Sequence, residues 1–306
     1  MKEIKKYTDI IRYGKASTNG VINEGDYITI TEKIDGANAS FRLDETNPLG
    51  VSCYSRNTPL TEDNRLRGFY DWVIKNIVPI KDKLNPNYVY FGEWNVSHKV
   101  QYKSETQHEF YLFSVWNEGG EMHKYEDDAI VKSEAVRLGI KTVPYFYEGE
   151  YISFEHMMSF VGKSDLTVEP NTGEGIVVKN VSYFDNYGRQ CFVKLVSEKF
   201  AEVQKQKLPK NPNINNEFVS LVKSVLTTAR VEKLLHKLVD EGILKEDYAI
   251  KDMGLILKNL GGRVFEDIMK EEADLFINYE EDKIKRIIGK NLPNTIKGIL
   301  KDQGRI

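Results

Sequence analysis

Residues 27–36 read YITITEKIDG, a strand-like run that ends in a turn. The alternating β-prone side chains of Tyr27–Thr31 predict a half-buried strand. Lys33 then lies at the strand end, where Asp35-Gly36 turns the backbone. A lysine amine attacks phosphorus only when it is neutral, and burial or neighbouring cations lower its ordinary pKa of about 10.4. The run therefore predicts a nucleophile, although on its own it also fits a lysine that simply enters a turn.

Further predicted strands of the N-terminal two-thirds carry side chains that suit a nucleotide. Apolar runs at residues 88–91, 110–116 and 192–195 predict buried strands, and a turn at residues 171–173 leads into another strand. The polar and aromatic candidates on these strands are Glu93, Phe113, Glu174, Lys179 and Lys194. Taken singly, the glutamates also fit surface or turn carboxylates, and Phe113 also fits a core aromatic.

These residue types can be combined into one reaction. Attack of Lys33 on the α-phosphate of ATP needs cations against the phosphate oxygens, and Lys179 and Lys194 are the candidates. Two nearby ammonium groups should also lower the pKa of Lys33. Magnesium commonly takes one or two carboxylates, and Glu174 is the best candidate ligand.

The rest of the nucleotide can be placed on the remaining two candidates. Glu93 can accept hydrogen bonds from ribose hydroxyls, and Phe113 can stack on adenine. In this order and spacing, the set resembles the nucleotidyltransferase motifs of covalent ATP-dependent ligases and capping enzymes. It is most similar to RNA ligases of the T4 RNA ligase 2 type, over about residues 5 to 205.

The resemblance implies an α+β fold, with an ATP-grasp-like DNA/RNA ligase nucleotidyltransferase domain of mixed and antiparallel sheets and helices. It implies catalytic roles for Lys33, Glu174, Lys179 and Lys194, ATP contacts from these four and from Glu32, Glu93 and Phe113, and a metal contact from Glu174. It also implies RNA contacts from Asn38 and Arg56. The basic stretch that contains Lys199, Lys205 and Lys207 can follow an RNA backbone, or be a solvated linker.

Two positions depart from the family pattern. Relatives of this type carry Lys-x-Lys in the last motif, whereas Lys194 is followed by Leu195 and then Val196. An acidic residue often follows the stacking aromatic, whereas Ser114 stands here. One phosphate contact and one hydrogen bond expected from the family are therefore in question.

Composition and net charge limit the classes of protein to which the chain can belong. The 306 residues suffice for two domains, and the net charge of −3 leaves any nucleic-acid contact to local basic patches. No apolar run approaches a membrane span, and the N-terminus lacks a signal-peptide core. Two cysteines indicate a reducing compartment, and no zinc-ligand spacing occurs. We expect a cytoplasmic monomer without membrane attachment.

The Pro- and Asn-rich segment at residues 208–213 predicts a domain boundary. It separates an adenylyltransferase domain, residues 1–208, from a small helical domain, residues 209–306. Apolar spacing predicts helices at residues 64–77 and 129–138, and further ones in the tail at residues 218–225, 231–238, 248–260, 264–276, 281–288 and 295–300. A helical tail favours an RNA ligase, because DNA ligases and capping enzymes of this superfamily generally continue into a β-rich OB-fold.

We therefore expect an ATP-dependent RNA ligase that joins a 3′-hydroxyl to a 5′-phosphate through lysyl-AMP and RNA-adenylate, with Mg²⁺ or Mn²⁺. A DNA ligase or a capping-type guanylyltransferase is the alternative enzyme. A nucleotide- or RNA-binding relative without sealing activity is the alternative from another class, raised by Val196. The sequence leaves open the RNA that is sealed and the geometry of its ends.

Overall fold

A computed structural model describes residues 2–96, 98–119, 123–197, 200 and 214–306, with side chains of the last segment from Phe218 onward. The chain divides into two compact units, Met1–Ser197 and Glu198–Ile306. The predicted boundary after residue 208 falls outside the described residues. Each unit has its own apolar core, and each is described by itself.

The first unit contains a five-stranded sheet in the order β1-β11-β10-β2-β9. Its strands are β1 (Ile10–Arg12), β2 (Tyr27–Lys33), β9 (Tyr145–Glu150), β10 (Gly175–Phe184) and β11 (Gln190–Val196). All neighbours are antiparallel except β1 and β11, which run parallel. The predicted strand before Lys33 is thereby confirmed and lies in the body of the sheet.

The second sheet of this unit has the order β4-β3-β5-β6-β7, and β8 pairs with β6 in parallel. Its strands are β3 (Ala37–Leu43), β4 (Val51–Ser55), β5 (Tyr88–Trp94), β6 (Phe110–Asn117), β7 (Lys124–Tyr125) and β8 (Lys141–Thr142). Three helices accompany the sheets: α1 (Phe69–Asn76), α2 (Asp128–Leu138) and α3 (Phe154–Met158). The α+β class expected from the sequence is therefore what the unit has.

An aromatic core fixes the second sheet. Phe41, Phe69 and Phe110 are fully buried, and the ring centroids of Phe69 and Phe110 lie 5.4 Å apart. Burial of rings this large supplies much of the apolar stabilisation, and removal of one typically costs about 3–5 kcal/mol. A separate apolar cluster joins Phe91 of the second sheet to Phe192 of the first. The two sheets are thus held together close to the strand ends that carry the candidate site.

The second unit is helical, as predicted. It contains α4 (Ile214–Val225), α5 (Thr228–Asp240), α6 (Met253–Glu272) and α7 (Glu281–Asp302). The predicted separate helices at 248–260 and 264–276 are wrong, because α6 continues through Gly261-Gly262. The separate helices at 281–288 and 295–300 are also wrong, because α7 continues through Pro293. Both helices continue because each has an uninterrupted stripe of buried apolar side chains, which recur on either side of the predicted break.

None of the helices in the described part of the chain combines the length and apolar character required to cross a membrane.

Candidate active site

Lys33 is the end residue of β2, and its side chain meets Glu174. The Lys33 Nζ donates to Glu174 Oε2 at 2.5 Å, and 23% and 14% of the two side chains remain exposed. Lys33 is paired in register with Gly175, the residue after Glu174. A Cβ on Gly175 would lie 2.2 Å from the Leu195 carbonyl oxygen, so only glycine lets the neighbouring strand approach this closely. The two predicted catalytic residues are therefore brought together and stay accessible.

The pKa of Lys33 is raised, which makes the predicted lowering by nearby ammonium groups wrong. Burial lowers the pKa of Lys33, but the charge and hydrogen bond of Glu174 raise it, as do the charges of Glu93 and Asp35. The opposing carboxylates outweigh burial because three of them face one amine. Lys33 is accordingly an ammonium in this state, and it must lose a proton before it can attack.

Glu93, near the end of β5, completes the carboxylate group around Lys33. Its Oε1 accepts a hydrogen bond from the Gly36 amide at 3.2 Å. Burial raises the pKa of Glu93 to about 8, and the charge of Glu174 adds to this. Burial also raises the pKa of Glu174, although Lys33 and Lys194 counteract it. Two partly buried carboxylates, one of which raises the pKa of the other, form an environment that a cation would stabilise.

Asp35 anchors the turn that follows the nucleophile. Its Oδ2 accepts from the backbone amides of Lys99 and Val100 at 2.8 and 2.9 Å. Its own amide donates to the Tyr102 hydroxyl at 2.7 Å, and His98 Nδ1 lies 3.6 Å from Oδ1. Burial alone would raise the pKa of Asp35, but the His98 contact, the Val100 amide and Lys33 hold it well below its usual range. Asp35 is thus an ionised structural clamp beside Lys33.

The turn has room for one residue type only. A Cβ on Gly36 would lie 2.5 Å from the Trp94 carbonyl oxygen. This close approach brings the Lys33 turn against the end of β5, which is where Glu93 lies. The Asp-Gly pair read from the sequence therefore has a packing role for both of its residues.

Strand register places Lys194 on the same face as Lys33. In one row across the sheet, Gly175 is opposite both Lys33 and Val196. In the next row, Val177 is opposite Thr31 and Lys194. Directly paired residues point to one side of a sheet, so Lys194 shares the face of Lys33. The valine that departs from the family pattern therefore lies in the row of the nucleophile itself.

Arg12 is a site candidate that sequence reasoning missed. It is paired in register with Lys194 through the parallel contact of β1 and β11. Arg12 therefore adds a second cation, beside Lys194, to the row of paired residues next to that of Lys33. A lone arginine in a short strand gives no sequence signal, because the pairing joins segments 182 residues apart along the chain.

Lys179 is not brought together with Lys33. It pairs with Thr29, four residues before Lys33 on β2. Its ammonium is buried against Asp128 at the start of α2 and donates to the Phe113 carbonyl at 2.8 Å. The Tyr145 hydroxyl donates to the same Asp128 oxygen at 3.0 Å. Its contact with the α-phosphate stays a prediction, and its observed contacts hold Phe113 in place.

Phe113 is half-buried between the sheets. Its ring lies 4.8 Å from that of Tyr7 in an edge contact, and it packs with Val177 against the cluster of Phe91 and Phe192. The next residue, Ser114, is buried and lies 3.1 Å from the Tyr7 hydroxyl, where it replaces the acid of the family pattern. Phe113 therefore presents a partly accessible ring, as a base platform requires.

Glu32 points away from Lys33. It is paired with Ile176, and the same face of β2 carries Ile28 and Ile30, which pack into an apolar core. Only 2% of Glu32 is exposed, and among the described residues neither carboxyl oxygen has a hydrogen-bond partner of good geometry, although the nearby Ser164 side chain opposes the rise of its pKa. Burial raises the pKa of Glu32 to about 7. An ATP contact from Glu32 stays a prediction, and its side chain lies on the face opposite the nucleophile.

The predicted RNA-binding residues fall into three groups. Asn38 is paired with Glu93 between β3 and β5, so it adjoins the carboxylates. Arg56 donates to Asp9 Oδ1 at 2.6 Å, with 33% of its side chain exposed. Lys199, Lys205 and Lys207 lie outside the described residues, and their RNA contacts stay predictions.

In the described part of the chain, protein side chains alone do not supply a complete set of metal ligands. No group of three or more His, Cys, Asp or Glu side chains there has the arrangement that holds a metal ion. Glu174 and Glu93 nevertheless suit Mg²⁺ or Mn²⁺, because such an ion takes one or two carboxylates and completes its shell with water and phosphate oxygens.

The RNA ligase family model matches residues 26–196. No curated protein sequence matches the chain. An apo mutant of Naegleria gruberi RNA ligase is 20% identical, with a TM-score of 0.46, and the match covers 64% of this chain and 57% of that one.

Two further structures of the same ligase are similar to the same extent. A mutant with ATP and manganese is 17% identical with a TM-score of 0.42, and the form with pyrophosphate is 18% identical with a TM-score of 0.42; each match covers 64% of this chain and 57% of the ligase. The chain thus spans little more than half the length of these solved ligases. Because the family model takes in more than half of the 306 residues, the chain belongs to the RNA ligase family.

Proposed function

We propose that this chain is an ATP-dependent RNA ligase that joins a 3′-hydroxyl to a 5′-phosphate. The observation that carries the proposal is the accessible Lys33–Glu174 pair, 2.5 Å apart, with Lys194 on the same sheet face. A buried structural ion pair would not need to remain open to a nucleotide. Membership of the RNA ligase family supports RNA as the substrate.

The first step is attack of the neutral Lys33 amine on the α-phosphorus of ATP. The new N–P bond forms as the bond from the α-phosphorus to the bridging oxygen breaks, and pyrophosphate leaves with that electron pair. The amine must first release a proton, and Glu174 Oε2 is the acceptor at hydrogen-bond distance. The raised pKa of Glu174 makes this carboxylate a better base than an exposed one. Lysyl-AMP is the product.

Two further steps complete sealing. An oxygen of the RNA 5′-phosphate attacks the phosphorus of lysyl-AMP, the N–P bond breaks, and the lysine amine is released. The 3′-hydroxyl of the second RNA end then attacks the 5′-phosphate phosphorus, loses its proton and displaces AMP. Lys33 therefore takes part in the first two steps and is not needed once the RNA 5′-adenylate has formed.

The remaining residues hold the nucleotide. Phe113 stacks on adenine, and Glu93 accepts from a ribose hydroxyl. Lys194 and Arg12 lie side by side in the sheet and stabilise the negative charge of the phosphates. Asn38 and Arg56 contact the RNA ends, for which Arg56 has to leave Asp9.

A divalent ion fits beside this machinery. Glu174, with Glu93 in support, would hold Mg²⁺ or Mn²⁺, which supplies charge neutralisation at the phosphate oxygens when bound. The observation that supports this fit is that Glu174 and Glu93 both lie close to Lys33, where the charge of Glu174 adds to burial in raising the pKa of Glu93.

One experiment separates the proposal from its alternatives. The wild-type protein is incubated with α-labelled ATP or GTP and divalent metal and is then denatured and separated by electrophoresis. We expect label from ATP in the wild type and in the control Lys141→Ala, an exposed lysine of β8, and no label in Lys33→Ala. Label from GTP would indicate a guanylyltransferase, and no label from either nucleotide would indicate a binding protein without sealing activity. Sealing of nicked DNA in preference to RNA would make it a DNA ligase.

A further inference from the structure

The last helix of the second unit, α7, has an unusual distribution of charge. Residues 283–301 contain six lysines and arginines and no aspartate or glutamate. The whole chain carries a net charge of −3, and acidic residues are frequent on the other helices of this unit. The region also lies outside the segment matched by the RNA ligase family model. Its charge therefore calls for an explanation of its own.

The cations of α7 are aligned along one face. Arg286, Lys290, Lys297 and Lys301, with Asn294 between them, follow one another at intervals of three or four residues, and all are exposed. At 100° per residue they fall within an arc of about 60°, and the row from Arg286 to Lys301 is about 22 Å long. We call these four cations the α7 basic row.

The opposite face of α7 explains why the row points outward. Ile284, Ile288, Leu292 and Ile296 are buried in the core of the unit. These apolar positions fix the rotation of the helix, so the basic row is directed away from the core.

Acidic side chains that the structure describes do not neutralise the charge of the α7 basic row. Lys283 and Lys285, at the start of the helix, pair with Glu280 and Glu281. The four cations of the row form no ion pair with any side chain that the structure describes. Like charges at helical spacing repel one another and cost stability, so an external polyanion would remove this cost.

We propose that the α7 basic row is a docking surface for the phosphate backbone of the RNA substrate. Charge complementarity supports this occupant, because a straight row of unpaired cations matches a regular line of phosphates. The proposal rests on the proposed ligase function and assigns one RNA-holding surface to the helical unit. It gives this unit a role in sealing and none in formation of lysyl-AMP.

The test compares two fourfold variants of the full chain with equal net charge. In the row variant, Arg286, Lys290, Lys297 and Lys301 are changed to Gln. In the control variant, four exposed lysines from different elements of the same unit are changed to Gln: Lys223, Lys245, Lys251 and Lys258. A third variant, with Lys290, Lys297 and Lys301 changed to Arg, keeps the charge of the row. Circular dichroism checks that all of them remain helical.

Binding of a nicked RNA duplex and of single-stranded RNA is measured at several salt concentrations, next to ATP self-labelling. The row variant should bind at least about tenfold more weakly, and the slope of log affinity against log salt should fall by about 3 to 4, since each of the four lost phosphate contacts lowers it by nearly one. The control and the Lys→Arg variant should bind like the wild type. Self-labelling should be equal in all four proteins.

Several outcomes would overturn the row as an RNA surface. One is an unchanged salt slope in the row variant, and another is an equal loss of RNA affinity in the control variant. A third is a wild type that binds vesicles of phosphatidylcholine and phosphatidylserine through the row, while its RNA binding does not depend on the row. The proposed ligase function fails separately, by absence of self-labelling in the wild type. A row variant that binds RNA poorly and still self-labels supports both proposals.

Discussion

Two lysine–carboxylate pairs lie along β10, one at its start and one within it, and they differ in exposure and in their further partners. Lys33 and Glu174 keep 23% and 14% of their side chains exposed, whereas Lys179 and Asp128 keep 2% and 3%. The second pair is also tied to the Phe113 carbonyl and the Tyr145 hydroxyl. A lysine that reacts with a nucleotide must be accessible to it and able to leave its carboxylate partner. A lysine that only positions an element of the fold needs neither property. The two lysines look alike in sequence, and their surroundings give them different tasks.

The largest difference should appear in covalent chemistry. Lys33→Ala should abolish protein–AMP formation and sealing of 5′-phosphate RNA, because the amine that forms the N–P bond is removed. The same variant should still seal RNA that already carries a 5′-adenylate, since that step follows the release of the lysine. Gel assays of both substrates test this, and failure on both would place Lys33 in a later step as well.

The buried pair should instead control stability. Lys179→Met leaves the Asp128 carboxylate buried without its counter-ion, which typically costs about 3–5 kcal/mol. Lys33→Met removes a partly exposed partner and should cost only about 1 kcal/mol. Urea unfolding of the two variants measures the contrast. Equal losses would remove the distinction between a structural and a reactive pair.

Lys194 should affect rate without affecting stability. Removal of one preorganised donor to a developing charge typically costs about 2.7–4 kcal/mol of transition-state stabilisation, so Lys194→Ala should slow self-labelling by about 10²–10³-fold. Lys179→Ala is expected to lower the rate as well, by at least about 10²-fold if it contacts the α-phosphate. Single-turnover labelling of each variant, at a temperature where it is folded, separates the two. A normal rate for Lys194→Ala would place it outside the reaction.

The smallest effect concerns a third buried charge, Glu32, on the opposite face. Its pKa is raised to about 7 in the folded chain from 4.5. The folded state therefore binds the proton more tightly, and the stability that this proton supplies is full below about pH 4.5 and is lost as the pH rises through 7. Glu32→Gln should unfold at the same denaturant concentration as the wild type near pH 4 and should be more stable by up to about 3 kcal/mol near pH 8. A constant difference across this range would show that burial of the charge is not the cause.

Local sequence was sufficient for part of this site. The strand before Lys33, the Asp-Gly turn, Glu174 next to a β-branched strand and the helical tail all follow from periodicity and turn chemistry over short windows. The parallel contact that sets Arg12 beside Lys194 could not be predicted, because register between distant segments is decided by tertiary packing. The charge state of Lys33 was mispredicted for a related reason. Its pKa depends on which charges come nearest, and three carboxylates approach it in the fold.

The breaks predicted in α6 and α7 show the converse error. Gly261-Gly262 and Pro293 are weak helix residues by local propensity, but buried positions on both sides of each hold the helix continuous. Propensity decided the prediction, whereas apolar burial decides the structure.

Lys33, and neither Lys179 nor Lys194, is the residue that we expect to become covalently modified. The most direct measurement is peptide mapping by mass spectrometry after incubation of the wild-type chain with ATP and divalent metal. We expect a single AMP adduct, on the peptide that contains Lys33. An adduct on Lys179 or Lys194, or an equal distribution over several lysines, would contradict it.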